Sequence, residues 1–497
     1  MRKKVILFII DSLHPQALEQ CLELGSAPAM GFLAKNGYYH HDCVSSFPTM
    51  TPVATSSIVT GTWPDKHLVP GFIWYNTKSK WFVNYGATWQ AIFKMGPEQI
   101  IRNLLKNLNG EHLNSKIPTV YEKLGDYGFM SGSVNFFIHR AKKQYQAKVP
   151  FLLRLASRFH LYQESLGGPE ILTLGELVQP SFTKPFRKLP VGPFNRFGFN
   201  DIYSGKITAD IIRAGKQPDF LLVYLPDNDK FSHLHGPMSS MPAIARADRQ
   251  IKGVLDAFGS WEKALQENIF IICGDHAQTS IGKTPEHIID LDKTLVKFRR
   301  LGLRNRSDDG TELALCPNER MALIYVLKNK RQVLEDVVAT LMSDPRHTQI
   351  AWRDKHKFYK VVQGGTEKVL CFWPKGPYTD IYGHAWGFEG ELDVVDARLD
   401  GKGHVLFGTY PDAFTRIQSA LDSRFGTRII LSAAPGYEYK AEGAPIHPGG
   451  GSHGSLERED SSVPLIIAGK DKDIDNPRII DIFPFVLDNF QIAAARF

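Results

Sequence analysis

Three short apolar runs, Val5 to Ile10, Phe220 to Leu225 and Ile269 to Cys273, each end in carboxylates: Asp11, then Asp227 and Asp229, then Asp275. Histidines stand close by, in Asp229-Lys-Phe-Ser-His233, in Asp275-His276 and in Gly451-Ser-His453-Gly454. A lone aspartate after a strand is usually a turn former or a helix cap. Three of them delivered to one place repel each other strongly unless cations sit between them. Carboxylate oxygen combined with imidazole nitrogen suits zinc or manganese better than magnesium or calcium, which prefer all-oxygen shells. Two cations about 4 Å apart can clamp the attacking and leaving oxygens of a phosphoryl or sulfuryl transfer.

The elements that must position these residues follow from periodicity. Apolar runs of this length suit buried parallel strands. A fourth, Val463 to Ala468, follows a histidine-rich loop, and helical patterns such as Thr119 to Leu124 and Ala243 to Phe258 lie between the strands. This alternation builds an open α/β sheet, in which ligands bind outside the carboxyl ends of the strands. The hydroxyl-rich stretch from Ser46 to Gly61, with Thr49, Thr51 and Thr55, runs from a loop into a helix. A hydroxyl there faces a positive helix N-terminus, although composition alone favours a cluster of capping residues over a nucleophile.

In chain order, Asp11, the threonine loop ending in Ser57-Ile-Val-Thr-Gly61, Asp229-x3-His233-x2-Gly236-Pro237, Gly274-Asp275-His276 and His453-Gly454 resemble the alkaline phosphatase superfamily. Within it, the type I phosphodiesterase/nucleotide pyrophosphatase-like family is the nearest branch. The resemblance covers about residues 1–76, 116–141, 201–282 and 427–497. It implies an α/β fold, an alkaline phosphatase-like three-layer sandwich with a mostly parallel sheet, helices on both faces, an inserted α+β cap and lid segments. The core is expected in 1–282 and 427–497, with lids at about 77–115 and 142–200, and the cap in 283–426. By carry-over, the activity is hydrolysis of phosphoric esters, most readily phosphodiester or pyrophosphate bonds, at two divalent metal ions, Zn²⁺ with Mn²⁺ as the alternative. The family spacing selects Thr51 over Thr49 as the nucleophile, which would form a covalent phospho-threonine. One metal is then held by Asp11, Thr51, Asp275 and His276, the other by Asp229, His233 and His453, leaving Asp227 and His235 as spares.

The chain departs from the family pattern in two places. The asparagine that family phosphodiesterases carry three residues after the nucleophile is Ala54, so an oxyanion contact must come from Thr55, a backbone N–H or an insertion. The glycine that usually follows the Asp-His pair is Ala277. Phosphomonoester or phosphonate hydrolysis is therefore a second expectation, and a noncatalytic binding homologue a third; a phosphate-shuffling mutase is disfavoured because those relatives carry serine. His447, in Ile446-His447-Pro448-Gly449-Gly450, either orients a ligand or belongs to a plain loop.

Composition and the insertions set the remaining expectations. A chain of 497 residues with 43% hydrophobic and 22% charged residues excludes wholesale disorder and fibrous architectures. No apolar run approaches the roughly 18 to 20 residues of a membrane span, and Val5 to Ile10 is too short for a signal peptide core. The odd, scattered cysteines (Cys21, Cys43, Cys273, Cys316, Cys371) contain no CxxC pair, which suits a reducing, cytoplasmic setting. Residues 142–200 hold nine Lys/Arg against three Asp/Glu, so most of the net +7 lies there. Placed over the metals, that segment would select an anionic phosphate ester or nucleotide. Its stretch 151–162 is basic and amphipathic, a lid or a peripheral membrane contact. Ile100 to Leu108 has the spacing of an amphipathic helix. In the cap, a strand at Arg320 to Leu327, a helix at Arg331 to Met342 and a strand at Phe358 to Val362 are expected. Gly282-Lys283-Thr284 lacks the first glycine of a P-loop, no GxGxxG follows the first strand, and Cys43-Val-Ser-Ser-Phe47 lacks a sulfatase signature. Nothing marks a sequence-specific nucleic-acid module.

Overall fold

A computed structural model describes residues 2–86, 88–156, 163–180 and 189–493. Among these, seven strands form the central sheet: β1 (Lys4–Ile10), β2 (Gly37–Val44), β3 (Ser131–Val134), β4 (Ile171–Thr173), β5 (Phe220–Leu225), β6 (Asn268–Gly274) and β7 (Ser462–Ala468). Their order is β2-β7-β6-β1-β5-β3-β4. Strands β6, β1, β5, β3 and β4 run parallel, while β7 runs antiparallel to both β2 and β6. The reversal decides where the chain's chemistry can meet. Because β7 points the other way, its N-terminal end, Ser462 beside Val44, shares the edge at which β1, β5 and β6 finish. The loop that carries His453 into β7 and the loop that leaves β2 toward Thr51 therefore arrive at the edge that bears Asp11, Asp229 and Asp275.

Alternation along β1 builds the layers. Val5, Leu7 and Ile9 face one side, packed with Val53, Ile58, Leu124 and Val486 from the helices Thr51–Thr60, Val120–Asp126 and Ile482–Asn489. Ile6, Phe8 and Ile10 face the other, against Leu18, Ile207, Ile244 and Ile251 from Pro15–Glu23, Asp201–Arg213 and Met241–Asp256. Each of these aliphatic side chains contributes about 1.5–3 kcal/mol on burial. This is the α/β sandwich expected from the sequence, with its two helix layers on a mostly parallel sheet.

A second, nine-stranded sheet occupies the cap. Its strands Met321–Val326 and Tyr359–Val362 and the helix Lys330–Met342 match the expected elements to within a residue or so. One boundary differs: Thr427–Ala433, expected to reopen the core, is a central strand of this sheet, paired antiparallel with Met321–Val326 on one side and His347–Arg353 on the other. Its run Ile429-Ile430-Leu431 is buried on both faces, Ile430 in one apolar cluster and Ile429 and Leu431 in another.

The insertions also differ from the expected layout. The helical pattern at 100–108 becomes a short α-helix, Pro97–Arg102, that widens into π-helical turns over Asn103–His112. Within 142–200, Lys143–Lys148 and Gln163–Gly168 form a ribbon, but Ile171–Thr173 is not a lid: it adds β4 to the edge of the central sheet beside β3. Of the stretch 151–162, Phe151–Ala156 is a helix that leaves Phe151, Leu152 and Leu155 exposed, and 157–162 lie outside the described residues. No helix among the described residues is long and apolar enough to cross a membrane.

Two contacts brace the site's supports and yield predictions. Arg320, fully buried in the turn between Leu313–Asn318 and Met321–Val326, donates to Asp460 at 2.6 Å and to the Thr279 hydroxyl, which joins the cap to the loop before β7. Arg320→Met strands a buried carboxylate and should lower the unfolding free energy by about 3–5 kcal/mol in chemical denaturation. His67, also fully buried, lies 3.1 Å from the Ser57 hydroxyl of the helix that begins at Thr51. Burial, reinforced by Arg424, pushes its pKa down to about 3. The unfolded chain then takes up a proton that the folded chain refuses, so stability is lost as pH falls from about 6.5 toward 3. The stability advantage of the wild type over His67→Gln should shrink by about 2 kcal/mol between pH 7 and pH 5 in urea titrations.

Candidate active site

Parallel pairing ends with Ile10 opposite both Gly274 and Leu225, so the next residues, Asp11 and Asp275, stand side by side. Ser12 takes a left-handed conformation (φ 57°) that turns the chain across this edge. Its N–H donates to Asp275 Oδ1 at 3.1 Å and its hydroxyl to Asp229 Oδ1 at 2.7 Å. Gln278 donates to the same Asp229 oxygen at 2.8 Å, and the Tyr224 hydroxyl of β5 donates to Asp11 Oδ2. After these bonds, Asp11 Oδ1 and Asp275 Oδ2 remain buried without a hydrogen-bond partner. They stand 3.6 and 3.7 Å from His276 Nε2.

The electrostatics express the crowding. Burial, then the charges of Asp275 and Asp229, raise the Asp11 carboxyl well above the usual range, and burial pushes Asp275 up to about 7. Burial holds His276 well below 6.5, helped by His453, whose ring stacks on it at 3.8 Å. A neutral imidazole keeps a lone pair for a ligand. Thr51, the first residue of its helix, has its hydroxyl 3.1 Å from His276 Nε2. Its N–H belongs to the first turn, where no intrahelical acceptor exists.

A second group adjoins the first. Asp229 Oδ1 is 3.2 Å from His233 Nε2 and 3.8 Å from His453 Nε2. Nδ1 of His233 bonds the Gly451 carbonyl at 2.8 Å and Nδ1 of His453 bonds the Thr49 carbonyl at 2.7 Å. Those bonds orient the rings so that both Nε2 atoms face Asp229. Against the effect of desolvation, His233, His453 and His276 hold Asp229 well below the usual carboxylate range, while Asp229 and Glu319 hold His233 up at about 10. The seven residues expected from the sequence thus lie in two adjoining groups, and the sets Asp11/Asp275/His276 and Asp229/His276/His453 each bring ligand atoms within 4.8 Å of one another.

The remaining residues singled out in the sequence are placed variously, and of these His447 alone lines the site cavity, grouped with His233 and Glu319. Asp227 pairs with Arg196 and accepts from the N–H of Asp201, away from the cluster. His235 is exposed and packs on Phe231. Thr49 spends its hydroxyl on Ser455 O and Gly454 N–H. Ala54 is fully buried and Thr55 donates back to the Thr51 carbonyl, so neither side chain supplies an oxyanion donor. His447 pairs with Glu438 and stacks on His233 at 4.1 Å.

A cavity of about 210 Å³ opens over Thr51, Asp229, His233 and His453. Its cover is Phe72 and Ile73, the cap turn Pro317-Asn318-Glu319, and Pro445 with His447. None of the described residues of 142–200 lines it, contrary to the expectation that the basic insertion overhangs the site. Glu319 escapes sequence reasoning entirely, since Asn318-Glu319-Arg320 between two apolar strands looks like an ordinary turn. Ser12, Tyr224 and Gln278 are likewise invisible until the sheet register is known.

The model of the type I phosphodiesterase/nucleotide pyrophosphatase family matches residues 5–369. No curated protein matches the sequence. Among solved structures, an inactive form of murine ectonucleotide pyrophosphatase/phosphodiesterase 5 in complex with AMP superposes with a TM-score of 0.58 at 12% identity, covering 99% of this chain and 96% of that one. The human protein of the same name gives 0.57 at 14% identity with the same coverage. At such identities the likeness is one of fold, and it is an alkaline phosphatase-like fold. The family match, spanning the first strand, the threonine helix, both Asp-His motifs and much of the cap, is what makes this chain a member of the type I phosphodiesterase/nucleotide pyrophosphatase family and a phosphoric ester hydrolase.

Proposed function

We propose that the protein hydrolyses phosphodiester or pyrophosphate bonds of a nucleotide or similar phosphate ester, through Thr51 and two divalent metal ions. The observation that carries this reading is the Thr51 hydroxyl beside His276, on an edge where two buried carboxylate oxygens have no hydrogen-bond partner. Leaving such oxygens bare costs about 1–3 kcal/mol each, more when charged, and a bound cation removes that cost. The donor set fits the implied metals. Asp11, Thr51, Asp275 and His276 would hold one, Asp229, His233 and His453 the other, and mixed oxygen and nitrogen donors favour Zn²⁺, with Mn²⁺ as the alternative. Divalent cations there supply charge neutralisation for phosphoryl oxygens and lower the pKa of a coordinated hydroxyl.

The chain's own residues supply the rest. Thr51 Oγ, its proton released to water, attacks phosphorus as the bond to the leaving-group oxygen breaks; that oxygen departs with the bond electrons and is protonated from water, and phospho-threonine forms. Water then attacks the same phosphorus and releases Thr51. The free N–H of the helix's first turn takes the oxyanion role that Ala54 leaves vacant, since a donor fixed at that point needs no reorganisation. His276 and His453, locked by stacking and by the Thr49 carbonyl, keep the site's geometry through both displacements. The AMP complex of the murine relative supports a nucleotide as the substrate type. All five cysteines are free thiols, which supports a cytoplasmic setting.

Thr51→Ala should lower kcat/KM on an aryl phosphodiester by roughly 10³-fold or more, with the circular dichroism spectrum unchanged. Unchanged turnover would discard Thr51 as nucleophile. Chelation should abolish turnover and added Zn²⁺ or Mn²⁺ should restore it. Two displacements at one phosphorus give net retention, so a chiral phosphorothioate diester should react with retained configuration. Inversion would rule out the covalent intermediate.

A further inference from the structure

Every residue assigned above to the metals comes from the central sheet's edge or from the helices and loops that adjoin it there. Glu319 does not. It sits at the tip of the cap turn joining Leu313–Asn318 to Met321–Val326, in a left-handed conformation (φ 60°) that costs a non-glycine residue about 1–3 kcal/mol. Both neighbours are clamped. The Asn318 side chain accepts the N–H groups of Phe72 and Ile73 at 2.6 and 2.9 Å, and Arg320 is anchored on Asp460. The turn is thus fixed on either side of a strained residue that is only 6% exposed and whose side chain is directed into the active-site cavity.

The carboxylate reaches the second ligand group. Its Oε2 accepts from the Ser452 hydroxyl at 3.1 Å and from the His453 N–H at 3.2 Å, and stands 3.4 Å from His453 Nε2. Its Oε1 is 3.8 Å from His233 Nε2. Around the same two imidazoles, Asp229 Oδ1 lies at 3.2 and 3.8 Å. Ligands bonded to zinc at about 2.0–2.2 Å in a tetrahedron stand roughly 3.3–3.6 Å apart. The spacings from the two carboxylates to the two imidazoles fall around that range. An ordinary ion pair would need only one carboxylate against these rings, and Asp229 already provides it.

We propose that Glu319 is a fourth side-chain ligand, contributed by the cap, to the cation held by Asp229, His233 and His453, with a fifth position left for a phosphoryl oxygen. The proposal rests on the two-metal reading above. It makes that cation one more tie between the two sheets, alongside the clamps at Asn318 and Arg320, so that loading the site should further protect the turn 318–320 from exchange.

The test uses metal-stripped full-length protein titrated with Zn²⁺ alone, by calorimetry or chelator competition, alongside hydrogen exchange of the 313–326 amides. Glu319→Gln keeps the length and an acceptor for Ser452 and the His453 N–H but removes the charge. It should weaken one of the two sites by roughly tenfold or more and abolish the Zn²⁺-induced protection of 313–326. Glu319→Gly, which suits the left-handed backbone, should show the same weakening and guards against misfolding of the first variant. Wild-type affinity at both sites in either folded variant, with protection of 313–326 still rising on Zn²⁺, would overturn the proposal. Asp229→Asn separates the two readings: it should lose one site under either, and if it keeps both at full affinity the metal assignment itself fails.

Discussion

The structure turns on the mutual repulsion of carboxylates held at one sheet edge. Asp11 and Asp275 are buried side by side, and Asp229 joins them through Ser12. Burial and like charge both work against ionisation there, and the pKa directions of Asp11 and Asp275 record it. A fold does not keep such a cluster for stability, because an apolar trio would pack better. The arrangement offers instead a place where positive charge is strongly favoured. Tyr224, Gln278 and the Ser12 hydroxyl occupy one oxygen of Asp11 and of Asp229 each and leave the remaining lone pairs for that charge.

The reversed direction of β7 is the topological answer to a problem that a purely parallel sheet leaves open. Parallel strands deliver to this edge only the residues beyond their carboxyl ends. Here the residues preceding β7 join them, so His453 arrives by the opposite route and stacks on His276. The same reversal puts Ser462 next to Val44, and the chain leaving β2 reaches Thr51 within a few residues. Thr51, the acidic edge and His453 are thus gathered by one antiparallel strand.

Much of this was legible in the sequence. Near-continuous apolar runs marked β1, β5, β6 and most of β7, and the carboxylates and histidines at the ends of those runs are where motif spacing put them. Local signals carry that information. The hidden parts depend on long-range pairing. Ile171–Thr173 becomes a core strand only because β3 offers an edge, and Thr427–Ala433 joins the second sheet because two distant strands flank it. Glu319 acquires its place from clamps at Phe72, Ile73 and Asp460, each more than 100 residues away. Ordinary turn composition concealed it.

The size and lining of the cavity bear on how a substrate is chosen. About 210 Å³ is below the roughly 300–1,000 Å³ that encloses a whole drug-sized ligand. On the proposed reading it has room for a phosphoryl group at Thr51, and the larger parts of an ester would extend past the cover formed by Phe72, Ile73 and the cap turn. No described residue of the basic insertion reaches the cavity, so on that reading selection by charge near phosphorus would rest on the acidic edge with its cations and on the helix N-terminus. A charge more than about 8–10 Å away is largely screened at physiological salt, so the described residues of 142–200, none of which lines the cavity, make no direct contact with a group held there. The short cap turn brings the Glu319 carboxylate to the cavity wall, so on the proposed reading any part of an ester that passes the cover does so beside this turn rather than beside the basic insertion.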